Sequence, residues 1–261
     1  MRIRVSRWIL VAGAIFAFSS AILAQTTARA GAPNPRPDLT GVWSHAGQAV
    51  DRSPAMGFLW SEEEPAMLPW ALERYNIVRT GARTRAQKGH DELDSIQYPY
   101  CIVHGTPRVW TAPFPFEILQ YPDRVYVLYE SNSAVRRIYT DGRKFPEDYP
   151  ATLMGYSIGR WDGDTLVAET TNIRALDGGL LWLDNVGHPR TDALRVVERF
   201  RRAAQDTLEI DFSFDDPKTY VRPWGGKKVF RLRPNWEIMD NRVCEDLPLA
   251  DFESKVKGKR P

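Results

Sequence analysis

The runs FEILQYPDRVYVLYESNSAVRRIYTDG, residues 116–142, and GYSIGRWDGDTLVAETT, residues 155–171, decide the fold class of this chain. Within them Phe116–Tyr121, Arg124–Glu130, Ala134–Thr140, Tyr156–Trp161 and Thr165–Thr171 are rich in Val, Ile, Tyr, Thr and Trp. Branched and aromatic side chains of this kind suit a pleated surface. The breaks between the runs, Pro122-Asp123, Ser131-Asn132-Ser133, Asp141-Gly142 and Asp162-Gly163, tolerate or impose turn dihedrals and leave no room for a helix. An antiparallel meander is predicted.

Further along, Leu208, Ile210, Phe212 and Phe214 alternate with Glu209, Asp211, Ser213 and Asp215, which predicts a strand with one buried and one solvated face. Leu194–Arg202 alternates Leu194, Val196 and Phe200 with Arg195, Arg199 and Arg201, although Val197 and Glu198 blur the pattern, and Lys227–Arg233 follows Gly225-Gly226. Toward the N terminus, Asp38-Leu39-Thr40-Gly41-Val42-Trp43 reads as a turn followed by a strand. Ser61-Glu62-Glu63-Glu64 has the form of a capping box, and a continuous helix is expected from near Pro69 through Trp70, Leu72, Tyr75 and Val78. The polar, aperiodic stretch Thr80–Gln97 reads as a loop, as does Ala175–Asp192 with its glycines and Pro189. Eight to ten strands favour an all-β fold: a single antiparallel β-barrel, lipocalin-like, with one N-terminal helix and long loops. Two packed sheets are the alternative.

Arg2, Arg4 and Arg7 precede an uncharged apolar run from Trp8 to about Leu23, the order of a secretory signal peptide. Residues 1–24 are read as that peptide, with cleavage after Ala24 or as late as Ala30; an uncleaved anchor is the alternative, but the run is shorter than the roughly 20 residues of a spanning helix. A Pro-rich leader (25–37), a barrel domain (38–252) and a basic, disordered tail (253–261) follow. The 35 Lys+Arg against 33 Asp+Glu of the full chain lose three arginines with the peptide and become 32 against 33. Such a balance argues against nucleic acid, which selects clustered basic surface. The expected location is periplasmic or secreted, with no integral membrane segment after cleavage. In an oxidising compartment Cys101 and Cys244 are expected to form a disulfide worth roughly 4 to 5 kcal/mol in the loop-entropy picture; two buried free thiols are the alternative.

Gly41 and Trp43 stand two apart, as in the Gly-x-Trp opening that this segment resembles in lipocalins, where the Trp closes one end of a barrel holding a small apolar ligand. From Phe116 to Trp224 the chain resembles a largely uncharacterised family of exported bacterial proteins. The matching pieces are Tyr129-Glu130, Arg136-Arg137-Ile138-Tyr139-Thr140-Asp141-Gly142-Arg143, the run from Ser157 to Val167, Val197-Glu198-Arg199-Phe200 and Asp216-Pro217. The resemblance implies common ancestry and transfers no reaction. In that family the position before Ser157 is usually His; here it is Tyr156, so a histidine-based role does not carry over.

Gly155-Tyr156-Ser157-Ile158-Gly159 fits G-x-S-x-G, with His188 downstream and Asp162, Asp164, Asp177 and Asp184 between. That elbow needs a helix after it, whereas Arg160-Trp161-Asp162-Gly163-Asp164 continues as strand and turn, so the serine hydrolase is set aside. Strand parity places Tyr156, Arg160 and Glu169 on one face and, in the preceding hairpin, Tyr126, Leu128, Glu130, Arg137 and Tyr139 on one face, opposite Val125, Val127, Tyr129 and Ile138. Were this face to line a cavity, Tyr156, Arg160, Glu169 and Glu130 would supply proton donor, anion clamp and base, and Tyr126, Arg137 and Tyr139 would contact the ligand. On a solvated face such pairs contribute under about 1 kcal/mol each. The four histidines lack metal-site spacing and no phosphate-binding glycine loop occurs, so neither metal nor cofactor is expected. The leading reading is an exported barrel that binds a small, partly apolar molecule. The alternative is a cofactor-free acid/base enzyme, a lyase, isomerase or hydratase, acting inside the barrel. A structural envelope protein is a third class.

Overall fold

Each run expected to be extended forms a strand in the computed structural model, which describes residues 36–47, 59–86 (backbone alone for 78–86), 103–175 and 182–240. In chain order these are β1 (Gly41–His45), β2 (Phe116–Gln120), β3 (Arg124–Tyr129), β4 (Ala134–Tyr139), β5 (Tyr156–Asp162), β6 (Thr165–Thr171), β7 (Arg195–Ala204), β8 (Thr207–Asp215) and β9 (Trp224–Leu232). Among the described residues they form one closed barrel, each strand bonded to its sequence neighbours and β1 joined to β9.

Closing nine strands has a geometric consequence. Each antiparallel joint reverses direction, so a complete circuit contains an even number of them, and nine joints cannot all be antiparallel. The parallel joint is β4–β5, with two residue pairs, Ile138↔Ser157 and Tyr139↔Ile158, against seven across β5–β6. The other eight are antiparallel. This corrects the uninterrupted meander: Asp141-Gly142 does not turn a hairpin, and the chain instead loops out after β4 and re-enters parallel to it. At Gly163-Asp164 the two-residue hairpin forms as expected, with Gly163 at φ 61° and Asp162 opposite Thr165.

Parity fixes the interior. Val125, Val127 and Tyr129, then Ala134, Arg136 and Ile138, then Leu166, Ala168 and Thr170 are buried. Leu208, Ile210, Phe212 and Phe214 also point inward, opposite the half-exposed Glu209 and Asp211. The axis is plugged by a helical turn, Arg108–Thr111, all four residues of which are buried. Its Trp110 ring lies 4.9 to 6.0 Å from Phe116, Tyr129, Phe200, Phe212 and Phe230, on five different strands. Edge-to-face contacts of this kind add to area burial. Close approach of backbone sets the start of β9, where a methyl group on Gly226 would fall 1.7 Å from the Trp60 carbonyl oxygen.

The helix α1 runs Pro69–Ala86, with proline in the first turn, where its missing N–H costs nothing. Ala71 and Tyr75, one turn apart, are its buried contacts, while Leu72 and Ile77 are exposed. The helix continues beyond the expected loop boundary at Thr80, because Ala and Arg are good helix formers and polarity alone does not end a helix. Ser61 does not cap it: its hydroxyl accepts from the Glu63 amide in a bend. No helix among the described residues is long and apolar enough to cross a membrane. The signal-peptide reading, the basic tail, Cys101 and Cys244 all fall outside the described residues.

Phe212→Ala is expected to lower stability by about 3 to 5 kcal/mol in urea unfolding, and Ser213→Ala to stay within about 0.5 kcal/mol. Equal effects of the two would mean that the register of β8 is misassigned.

A candidate ligand-binding cleft at the parallel seam

At the end of the barrel where β5 begins, β4 has already run for several residues without a partner on that side. Tyr156 opens β5, whereas the pairing reaches β4 only at Ile138. The preceding chain is held aside: Thr152 bridges to Ile173, the Gly155 amide donates to the Thr152 carbonyl, and Gly155 takes φ 70°. Between the two backbones lies a cleft of about 450 Å³, bordered by Val135, Arg136, Arg137 and Tyr139 of β4, by Tyr156 and Ser157 of β5, and by Val103, Tyr149, Leu153, Met154 and Arg174 of the connections. That volume suits a small molecule.

Three tyrosines shape its wall. The Tyr156 ring stacks on Tyr139, 5.3 Å between centroids and 26° between planes, and meets Tyr149 edge-on at 4.6 Å. The Arg143 guanidinium lies 3.8 Å from the Tyr139 centroid and donates to Asp141 at 2.6 Å, so its charge is neutralised locally. Arg137 and Arg174 differ: among the described residues neither is ion-paired, and Arg174 spends its Nε on the Ala151 carbonyl. Among the described residues, no carboxylate or imidazole lines the cleft.

The floor is polar and rigid. Arg136, 2% exposed, faces into the barrel and donates from Nε to the Ser157 hydroxyl (3.0 Å), from Nη2 to the Thr170 hydroxyl (2.7 Å) and from Nη1 to Glu198 (2.7 Å), with a second, short bond from Nη2 closing a bidentate pair. The Trp110 indole donates to the same Glu198 at 2.7 Å. Burial works against the charge of Arg136, but the Glu198 carboxylate outweighs it and holds the guanidinium pKa above its ordinary value. Ser157, the serine of the G-x-S-x-G match, is therefore bonded to Arg136 and Thr170.

The parity argument groups residues correctly but does not say which face is inside. Tyr156, Arg160 and Glu169 share a face, and it is the outer one. Tyr156, Arg137 and Tyr139 border the cleft. Arg160 is exposed on β5, and Glu169 accepts from Arg195 at 2.6 Å. Glu130 accepts from the Met239 amide at 3.1 Å, and Tyr126 lies under Arg137, 5.9 Å from its guanidinium. Of the acid/base set, the described lining of the cleft includes Tyr156 but not Arg160, Glu169 or Glu130. Sequence reasoning missed Arg136 and Glu198, though a signal was present: two opposite charges at positions whose neighbours two residues away are apolar.

A second polar cluster sits at the same barrel end. Asp184 accepts from the His188 Nδ1 at 2.5 Å and from the backbone amides of Val186, Gly187 and His188; the His188 Nε2 meets Glu64 at 2.9 Å, and Tyr75 stacks on the imidazole at 4.5 Å. Burial pushes the imidazole pKa down, but Asp184 and Glu64 together carry it up to about 9. The cluster ties α1 to the loop before β7.

No family model matches the chain, and no curated protein matches it in sequence.

Glu198→Gln leaves the Arg136 charge buried without a counter-charge, and an expected loss of about 3 to 5 kcal/mol follows; adding Arg136→Met should recover part of it. Denaturant unfolding distinguishes this from a loss below about 1 kcal/mol, which would mean the pair does not hold the seam. For His188, the folded pKa near 9 lies above the unfolded value of about 6.5, so its contribution is complete below that value and disappears as pH rises through 9. Lys228 opposes this trend, because burial, only partly offset by Asp184, holds its amine down to about 7. The comparison must therefore be between variants: the destabilisation caused by His188→Gln should be largest near pH 6 and shrink toward pH 9.5, as read from urea midpoints. A pH-independent difference would show that the imidazole is not charged in the fold.

Proposed function

We propose that the protein is an exported binding protein whose cleft at the β4–β5 seam takes a small, partly apolar molecule carrying an acidic group. The observation that carries this reading is the make-up of the cleft: stacked tyrosines beside Arg137 and Arg174, with no carboxylate among the described lining residues. A flat apolar body gains from contact with Tyr156 and Tyr139, and an acidic group finds guanidinium donors that match it in charge and fork geometry. The polar floor of Arg136 and Ser157 is already hydrogen-bonded, which supports a site organised before the ligand arrives. Export rests on Arg2, Arg4 and Arg7 ahead of the apolar run, and on the resemblance to exported bacterial proteins. The acid/base enzyme is less well supported, because among the described lining residues Tyr156 has no carboxylate or imidazole beside it.

Calorimetric titration with 2-naphthoate, and with the neutral 2-naphthalenemethanol, tests the site. Tyr156→Ala and Arg137→Gln are each expected to weaken naphthoate binding about tenfold, close to 1.4 kcal/mol. Arg160→Gln and Glu169→Gln, away from the cleft, should change it less than about twofold. Binding unaltered by Tyr156→Ala, or lost on Glu169→Gln, would reject the cleft as the site.

A further inference from the structure

Asp141-Gly142-Arg143 does not turn a hairpin, and its geometry serves its last residue instead. Gly142 takes φ 80°, and a methyl group on it would meet nothing within 4 Å, so the glycine is there for its backbone angle and not for space. The bend brings Arg143 back toward Asp141. Its amide donates to Asp141 Oδ1 at 3.2 Å, its Nε to the two carboxylate oxygens at 2.9 and 3.0 Å, and its Nη2 to Oδ2 at 2.6 Å. Held in this way, the guanidinium lies 3.8 Å from the Tyr139 ring centroid and donates from Nη1 to the Tyr156 hydroxyl across the seam at 3.4 Å. The bonds from Arg143 hold the Asp141 carboxyl down to about 2, so the pair is ionised at neutral and mildly acidic pH.

The Arg143 and Asp141 side chains are 37% and 30% exposed, and ion pairs open to solvent in this way add little to stability. What the pair fixes is direction. Two carboxylate oxygens set the plane of the guanidinium, and the guanidinium then engages one ring on β4 and one on β5. A second pair, Asp123–Arg124, places another cation 5.4 Å from Tyr139, and Tyr156 is further enclosed by Tyr149 and by Phe145 at 6.2 Å. The two stacked rings therefore cannot splay around a thick ligand without giving up their contacts to Arg143. A wall of fixed aromatic rings favours a flat ligand over one of the same charge and skeleton whose carbons are puckered. We propose that Arg143, oriented by Asp141, is a specificity-determining residue of the cleft: it positions Tyr139 and Tyr156 and so selects planar aromatic acids over saturated ones. It acts through the two rings, since the lining of the cleft includes them and does not include Arg143. This role rests on the ligand-binding reading of the cleft given above.

The test titrates the whole protein calorimetrically with 2-naphthoate and with decahydro-2-naphthoate, which has the same charge and carbon skeleton but puckered rings. The unaltered protein should bind naphthoate about tenfold more tightly. In Arg143→Gln that preference should fall to about threefold or less, through weaker naphthoate binding, while the urea midpoint stays close to that of the unaltered protein. Asp141→Asn, which keeps the guanidinium but loosens it, should shift the preference in the same direction. In Tyr156→Ala, adding Arg143→Gln should weaken naphthoate binding much less than it does alone, because a positioning residue needs the ring it positions. A preference unchanged in Arg143→Gln, or an equal weakening in the two backgrounds, overturns the role of Arg143 and leaves the cleft standing. So does equal binding of the two acids by the unaltered protein. Failure of the unaltered protein to bind naphthoate at all overturns the cleft and its selectivity together.

Discussion

The barrel depends on what Arg136 does at the place where its backbone ladder is thinnest. A closed ring of nine strands must contain a parallel joint, and here that joint has two residue pairs. One guanidinium compensates: from β4 it reaches Ser157 on β5, Thr170 on β6 and Glu198 on β7, so the wall is laced from inside across the joint. Apolar residues would fill the same volume and avoid the desolvation of two charges. They could not, however, bind four strands at fixed directions, because dispersion contacts have no preferred angle and hydrogen bonds do.

The same shortfall of pairing leaves room for the cleft. Where β5 has not yet joined β4, backbone is replaced by side chains, and the side chains present are tyrosines and arginines. Their rings are held by one another and by Arg143, so the apolar wall and the polar floor are both rigid before anything binds. The ligand of a lipocalin-like barrel is expected on the axis; here Trp110 packs against rings from five strands at the axis, and the cleft among the described residues lies in the wall.

How much of this was legible in the sequence follows from what side-chain patterns encode. Alternation along β8, the turn at Gly163-Asp164 and the shared face of Tyr156 and Glu169 are properties of one strand or one hairpin, and period-2 reasoning recovers them. The direction of β5 relative to β4 is not such a property, since a strand alternates in the same way whether its neighbour is parallel or antiparallel. Asp141-Gly142 consequently passed for a hairpin turn. Arg136 and Glu198 looked like noise in two apolar patterns, and only the pairing of β4 through β7 reveals that each is the reason for the other. Tyr149 and Arg174 come from connecting segments that no periodicity describes, so the far border of the cleft could not be read at all.

The order of joints also bears on how the wall is laid down. Strands β2 to β4 are consecutive hairpins, as are β5 with β6 and β7 to β9, so three ribbons can form from contacts close in sequence. Joining them requires β1 to meet both β2 and β9, β5 to come alongside β4, and β6 to meet β7 across the still longer connection 172–194. Contacts distant in sequence bear their loop-closure entropy before they gain anything, and so they are late. Arg136 and Glu198 sit on different ribbons, which makes their encounter a marker of correct docking: a slip of one residue between ribbons would turn one of the charges to the other face and leave its partner buried alone.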